Sequence, residues 1–252
     1  MSSLRDLWMT EAKDLSDPHL RRLIKAKKQT ALIPVGAIEQ HGPHLPLSTD
    51  SDIVSEVAKR VSKKAGFLLL PTIHYGISFE HYPFFNLSIT KSTLEKILIE
   101  LCISLWRNKI NTVIILNGHH GNQSALKHVP KKVWNLSRGK VKVFVFSYWH
   151  FMKRGFDHAG FVETSLMLAI SKKVNMKKAR KGFVTDGFSE KQKTRLGKIA
   201  AKSFMSVAKN GVWGNPTNAT VRDGKKIMSE ISKGILKKSQ TCLTDKTPKL
   251  HQ

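Results

Sequence analysis

Strand-sized apolar runs alternate along this chain with segments in which apolar residues recur at helical spacing. Continuous apolar runs predict four buried strands, over residues 30–35, 67–73, 112–116 and 141–148. Apolar positions three and four residues apart predict helices, over residues 52–64, 92–108, 162–171, 195–209 and 223–238. This alternation indicates an α/β fold, with a largely parallel sheet flanked by helices.

The length of 252 residues suits one α/β domain with a sizeable core. We therefore expect a single domain over residues 1–252, in which residues 240–252 form a frayed polar tail. The capping-box pattern Ser92-Thr93-Leu94-Glu95 predicts the start of the second of these helices.

Two polar clusters directly follow predicted strands. Residues 39–50 follow the strand 30–35, and residues 117–122 follow the strand 112–116. Ligands of open α/β sheets bind at the carboxyl ends of the strands. We therefore expect the two clusters to meet in one crevice.

The two clusters combine carboxylates with imidazoles and contain no cysteine; their candidate metal ligands are Glu39, His41, Asp50 and His119. Such mixed sets suit Zn, Mn or Fe(II), and a carboxylate can bridge two ions. Each cluster alone also fits a simpler interpretation, a polar surface loop or a turn whose histidines are incidental. Their shared position at strand ends favours a metal site.

A third polar segment begins at His158 and includes Glu163, in the first turn of an otherwise apolar helix. An acidic residue at a helix N-terminus is also explained by the helix dipole alone. Facing the crevice, Glu163 would instead be a metal ligand or a proton carrier. His158, just ahead of the helix, is a candidate catalytic acid or base.

A centre with two divalent ions lowers the pKa of water and polarises a carbonyl group. The reaction that suits it is hydrolysis of an amide C–N bond, with a nearby histidine or carboxylate protonating the leaving nitrogen. The sequence contains no GxSxG, HExxH or Walker A motif. Serine hydrolase, zincin and P-loop interpretations therefore lack support.

The chain is strongly basic, with 43 Lys+Arg against 18 Asp+Glu and a formal net charge of +25. Such an excess attracts nucleic acid, anionic surfaces or a phosphorylated small molecule. The lysines are scattered in pairs, and no nucleic-acid-binding motif accompanies them. We expect a generally basic surface and a small-molecule substrate; the alternative is a nucleic-acid-binding protein on an inactive hydrolase scaffold.

The two cysteines, Cys102 and Cys242, lie far apart and form no CxxC motif, so a reducing cytoplasm is the simplest setting. The apolar runs are far shorter than a bilayer span. We expect a cytoplasmic protein with no membrane association.

The segment 33–50, which reads IPVGAIEQHGPHLPLSTD, closely resembles the signature of the creatininase (creatinine amidohydrolase) family. The resemblance continues in order along the chain, through Tyr75-Gly76, Glu80-His81, Asn117-Gly118-His119, His158-Ala159-Gly160, Glu163-Thr164-Ser165, Gly211-Val212-Trp213-Gly214-Asn215-Pro216 and Ala219-Thr220. It implies a single creatininase-like α/β domain, assembled as a homo-oligomer, with a dinuclear centre of Zn, Mn or Fe.

The resemblance also implies roles for individual residues. Glu39 and His119 would hold one ion, His41 the other, and Asp50 would bridge the two. The remaining two candidates, His158 and Glu163, match positions near the reacting centre.

The sequence departs from creatininase proper in its second motif, where Tyr and a metal-binding Glu follow the histidine. Here His120 and Gly121 stand at those positions, so one expected ligand is absent. The family also contains an archaeal deformylase of a formylamino-pyrimidine ribotide 5′-phosphate in riboflavin and deazaflavin biosynthesis, and peptidases that mature a peptide-derived redox cofactor. The sequence ranks the deformylase first, because a phosphorylated substrate suits a basic protein, a creatinine-like cyclic amide second and peptide trimming third. We therefore expect an amidohydrolase that acts on a C–N bond other than a peptide bond.

Overall fold

The computed structural model describes residues 11–26, 29–155 and 157–244. Four parallel strands form its sheet, β1 (Thr30–Val35), β2 (Leu68–Leu69), β3 (Thr112–Asn117) and β4 (Lys142–Ser147). Eight α-helices accompany them in the described residues, α1 (Asp17–Ala26), α2 (Thr49–Ala65), α3 (Lys91–Arg107), α4 (Gln123–Leu126), α5 (Val129–Leu136), α6 (Phe161–Ile170), α7 (Glu190–Ala200) and α8 (Val221–Thr244). The predicted α/β class with a parallel sheet is confirmed.

The strand order is β2-β1-β3-β4, and every pairing is parallel. The register places Val35 beside Asn117, and Asn117 beside Ser147. Three strands therefore end at the same level, and the loops that follow them leave the sheet side by side. This alignment places the two predicted polar clusters at one edge of the sheet.

Alternate side chains of each strand enter two different cores, as the two-residue period of a strand requires. Leu32, Ile114 and Leu116 pack in a core with helices α2, α6 and α8. Ile33 and Ile115 pack in the opposite core, with helices α3 and α5. The sheet is thus covered on both faces, which explains why its strands are continuously apolar.

Ile114 lies in the middle of the central strand β3 and is 1% exposed. Replacing Ile114 by alanine is expected to lower the free energy of unfolding by about 2–5 kcal/mol, because the substitution leaves a cavity in close-packed surroundings. Urea denaturation measures the change. Ile199→Ala, at a residue that is 39% exposed on α7, is the control and should cost less than about 0.5 kcal/mol. Equal losses in the two variants would contradict the assigned core.

Several predicted boundaries need correction. The second predicted strand, 67–73, is regular only at Leu68–Leu69, and a single bridge joins Val35 to Ile73 further on. The helix predicted over 92–108 begins at Lys91. Its N-cap residue is Thr90 and not Ser92, since the Thr90 side chain accepts a hydrogen bond from the Thr93 N–H group at 3.2 Å.

The prediction of a helix over 195–209 is wrong in its second half. Helix α7 begins earlier, after a capping box formed by Ser189 and Gln192, and ends at Ala200. A short 3-10 turn follows, from which the Phe204 ring packs against the His81 and His158 rings at centroid distances of 4.6 Å. The end of α7 at Ala200 therefore allows Phe204 to contact these two histidines.

The last helix runs through Thr244, so residues 240–244 of the predicted tail are helical, and residues 245–252 lie outside the described part of the chain. No helix in the described residues is long and apolar enough to cross a membrane.

Candidate metal centre

All six residues selected from the sequence lie in one buried cluster at the carboxyl edge of the sheet; they are Glu39, His41, Asp50, His119, His158 and Glu163, and each is at most 8% exposed. They come from the loops that follow β1 and β3, from the first turns of α2 and α6, and from the segment that precedes α6. The expectation that the separate polar segments meet in one crevice is therefore correct.

One group of three possible ligands consists of Glu39, Asp50 and His119, whose donor atoms all lie within 4.8 Å of one another. His119 Nδ1 is 3.0 Å from Asp50 Oδ2, and its Nε2 is 3.2 Å from Glu39 Oε2. His119 Nε2 also lies 2.8 Å from the carbonyl oxygen of Ile77. Two carboxylates and one imidazole thus lie close enough together to bind one divalent ion.

A second group consists of His41, His158 and Glu163. His41 Nε2 is 3.3 Å from Asp50 Oδ1 and 3.5 Å from Glu163 Oε2. Asp50 therefore directs one oxygen to each group, since its other oxygen faces His119. This is the arrangement that a carboxylate bridging two ions would have.

The position of Asp50 depends on where helix α2 begins. The sequence predicts a loop up to residue 50, but α2 begins at Thr49 and places Asp50 in its first turn. Two glycines leave the space that the first turn of α2 occupies. A Cβ atom at Gly36 would lie 2.6 Å from Ser51 Cα, and one at Gly118 would lie 2.8 Å from the carbonyl oxygen of Asp50, distances that real Cβ atoms essentially never show.

Glu163 is oriented by two protein donors. The backbone N–H of Ala159 donates to Glu163 Oε2 at 2.6 Å, and the Tyr148 hydroxyl donates to Oε1 at 3.4 Å. Glu163 is fully buried, and so is Tyr148. The first turn of α6 therefore points its carboxylate into the cluster and away from solvent.

Among the described residues, no lysine or arginine forms an ion pair with the carboxylates of the cluster. Both oxygens of Glu39, Oδ2 of Asp50 and Nε2 of His41 are buried without a hydrogen bond. Buried charges are normally paired or bound to metal, because removing them from water is costly. The cluster lacks a source of positive charge other than its own imidazoles, and divalent ions fit this need.

The pKa values reflect the same crowding. Although burial acts to lower them, the neighbouring carboxylates raise the pKa of His41 and the pKa of His119 to about 10 each. The imidazoles in turn hold the pKa of Glu39 and of Asp50 below their usual values, against the effect of burial. Burial raises the pKa of Glu163 to about 8 and lowers that of His158 well below its usual range.

Three further residues lie at the cluster, although the sequence alone indicates no role for them. His81 Nε2 is 3.1 Å from Glu39 Oε1, and Gln40 Nε2 is 3.0 Å from His81 Nδ1. Glu80 Oε1 is 3.9 Å from His119 Nε2, and burial raises the pKa of Glu80. The signal available was the match of Glu80-His81 to the family pattern.

Glu80 also bears on the ligand that Gly121 lacks. A Cβ atom at Gly121 would lie 2.5 Å from His119 Nε2 and 2.9 Å from Glu80 Oε1. The Glu80 carboxylate therefore lies beside the place that a longer side chain at position 121 would enter. Glu80 thus adds a fourth carboxylate to those of Glu39, Asp50 and Glu163, close to the position of the ligand that Gly121 lacks.

Two other histidines of the polar segments lie outside the possible ligand groups. His44 is buried, and its Nε2 lies 2.9 Å from the Thr164 hydroxyl. Burial, followed by the nearby His41, lowers the pKa of His44 to about 4. His120 is exposed, with its ring 5.9 Å from that of Trp149.

Comparison with known proteins extends this picture. A mycofactocin precursor peptide peptidase of Mycobacterium ulcerans (strain Agy99) is 32% identical over 216 residues, which cover 79% of this chain and 80% of the relative. The crystal structure of a creatinine amidohydrolase (creatininase) superposes with a TM-score of 0.79 at 23% identity, covering 93% of this chain and 98% of the other. The second match concerns the fold alone.

A deformylase of 2-amino-5-formylamino-6-ribosylaminopyrimidin-4(3H)-one 5′-monophosphate from Methanosphaera stadtmanae is 36% identical over 95 residues, but these cover only 37% of this chain and 40% of the relative. The ranking of the deformylase first among substrates is therefore unconfirmed. The family model for creatininase, described as creatinine amidohydrolase, matches residues 13–238. The chain belongs to the creatininase family of amidohydrolases.

Proposed function

We propose that this protein hydrolyses an amide C–N bond at a centre of two divalent ions. The observation that carries the proposal is the buried cluster of carboxylates and imidazoles, in which Asp50 directs one oxygen to each of two ligand groups. Glu39 and His119 would hold one ion, His41 the other, and Asp50 would contact both. Zn, Mn and Fe(II) all suit this nitrogen and oxygen donor set.

Ions bound there would supply the Lewis acidity that activates water and polarises an amide carbonyl group. The protein supplies the rest. His158 and Glu163 lie at the same group as His41, where they would transfer a proton to the leaving nitrogen. Tyr148 and the Ala159 N–H group hold the Glu163 carboxylate in place for this role.

Metal binding is expected to stabilise the fold measurably. At a free ion concentration of about 100 times Kd, the free energy of unfolding should rise by about 2.7 kcal/mol for each ion bound. For a chain of this size, each ion then corresponds to an increase in Tm of roughly 5–10 °C. Differential scanning calorimetry of the chelated and reconstituted protein measures the shift. An unchanged Tm with zinc, manganese and iron alike would contradict a metal centre in this cluster.

A peptide-derived amide is the substrate class that we place first. The relative that matches four fifths of this chain is a precursor peptide peptidase. Beside the cluster, the segment 75–87 exposes apolar side chains, namely Tyr75, Phe79, Tyr82, Phe85 and Leu87. The same segment carries Glu80 and His81 into the site. An apolar surface adjoining the site suits an extended substrate; it would equally suit the homo-oligomer that the family resemblance implies.

The formylamino-pyrimidine ribotide 5′-phosphate is the second candidate. It is favoured by the net charge of +25 and by the shorter match to the Methanosphaera stadtmanae deformylase. Creatinine is third, because His120 and Gly121 replace the residues of creatininase proper.

The test compares three products from one reconstituted enzyme. Protein loaded with Fe(II), Mn or Zn is incubated with short peptides, with the ribotide and with creatinine, and released amino acids, formate and creatine are measured. Metal-dependent release from one substrate class, absent in Asp50→Ala, identifies the reaction. Release of formate alone would reverse our ranking, and release from none of the three would contradict all of these assignments.

The nucleic-acid-binding alternative makes a different prediction. It requires salt-sensitive binding to generic DNA or RNA that Asp50→Ala leaves intact. The buried set of possible ligands argues against an inactive scaffold.

A further inference from the structure

A path of polar contacts leads from the backbone to the Glu39 carboxylate through Gln40 and His81. The N–H group of Gly42 donates to Gln40 Oε1 at 2.9 Å. A backbone nitrogen can only donate, so this bond fixes the orientation of the amide group. Nε2 of Gln40, with two hydrogens to donate, therefore faces the histidines.

Gln40 Nε2 lies 3.0 Å from Nδ1 of His81. Because the amide nitrogen can only donate, Nδ1 must accept, and a neutral His81 ring then has its hydrogen on Nε2. Nε2 of His81, which then carries the hydrogen, lies 3.1 Å from Glu39 Oε1 and faces this carboxylate. We infer that Gln40 is a positioning residue, which selects the Nε2–H tautomer of His81 so that His81 holds the Glu39 carboxylate.

The path decides between two functions for His81. Glu39, His81 and His158 also form a third group whose geometry could hold an ion. With Nδ1 accepting from Gln40 and the ring hydrogen on Nε2, His81 has no lone pair left for a metal. The third group is therefore an outer layer that orients Glu39; this part of the inference rests on the proposed metal centre.

Gln40 also holds His158. Its side-chain amide nitrogen and its backbone carbonyl oxygen lie 3.0 Å and 3.1 Å from Nε2 of His158, which can form a hydrogen bond with only one of them at a time. Both contacts are made on the same edge of the ring, and the opposite atom, Nδ1, is 3.7 Å from Glu39 Oε1. One glutamine thus contacts two rings that face the same carboxylate.

The side-chain amide of Gln40 is closely surrounded by other residues. Gln40 is 7% exposed. A Cβ atom at Gly211 would collide with Gln40 Oε1 and would lie 2.8 Å from its Cδ atom. Position 211, with φ of 75°, therefore requires glycine both for its backbone angle and for the space that Gln40 fills.

The tautomer can be read directly by NMR of zinc-loaded protein with 15N-labelled histidine, in which the signal lost in His81→Asn identifies His81. We expect the Nε2–H form in the native protein. In Gln40→Glu the carboxylate would accept from Nδ1, so Nδ1 should become protonated, while Gln240→Glu, at an exposed position on α8, should leave the signal unchanged. Outer-shell partners of metal ligands typically contribute 10–100-fold in affinity. Zinc binding by Gln40→Glu should weaken by about this factor.

An Nδ1–H form of His81 in the native protein would overturn the inference, and so would an unchanged His81 signal in Gln40→Glu. The native spectrum decides the point even if the variant fails to fold. Failure of the native protein to bind zinc would instead contradict the proposed function, and the tautomer would then be read in the metal-free protein.

Discussion

Replacing Asp50 by asparagine is expected to remove both ions and to lower the rate of hydrolysis by more than about 100-fold. The loss should exceed the 10–100-fold that removal of an outer-shell partner typically costs. The reason is that Asp50 directs Oδ1 to His41, at 3.3 Å, and Oδ2 to His119, at 3.0 Å, so it is shared by the two groups. Asparagine preserves the shape of the side chain while it removes the charge. Metal content after dialysis and the rate with the identified substrate measure the two effects.

Asp52→Asn is the matched control for Asp50→Asn. Asp52 lies on the same helix turn, but it accepts from Ser48 Oγ at 2.9 Å and faces Lys173 at 3.7 Å, away from the cluster. We expect this variant to keep both ions. Full metal occupancy in Asp50→Asn would exclude the bridging role.

Replacing His119 by alanine is expected to remove mainly one ion and nearly all activity. His119 contacts Glu39 and Asp50 but not His41, so the second group keeps its own residues. The variant should therefore retain about one ion per chain, with a rate at least about 100-fold lower, since a direct ligand contributes more than its outer-shell partners. Elemental analysis and hydrolysis assays on the same sample measure both values.

His120→Ala provides the comparison, because His120 is the next residue and is exposed. It should keep the metal content of the native protein. An unchanged hydrolysis rate in His119→Ala would remove this loop from the catalytic centre, and loss of both ions would show that the two groups do not bind independently.

The sequence predicts the sheet and the convergence of the site because both depend on local patterns. Continuous apolar runs mark the strands, and strands that are covered on both faces have such runs whatever their neighbours are. Since parallel strands end at a common edge, the polar residues that follow Val35 and Asn117 are brought together by topology alone.

Other parts of the site depend on contacts that no local pattern carries. The first turn of α2 packs against Gly36 and Gly118, and only this tertiary contact explains why the helix begins at Thr49 and carries Asp50. Residues of the segment 74–90 have little regular structure. Their path is set by backbone bonds to another loop, from Gln40 N to Phe85 O and from Leu87 N to Ile38 O, at 3.0 and 2.8 Å.

His81 shows the same limit most clearly. It is placed beside Glu39 by this irregular segment and by the Gln40 amide group. Neither spacing nor periodicity relates residue 81 to residue 39, so only the three-dimensional structure indicates a role for His81.

Whether the cluster binds two ions is tested by an anomalous difference map from crystals of the zinc-loaded protein, recorded at the zinc absorption edge. We expect two peaks roughly 3.5–4 Å apart, one between Glu39 and His119, the other beside His41, with Asp50 in contact with both. A single peak, or peaks outside this cluster, would contradict the two-ion centre.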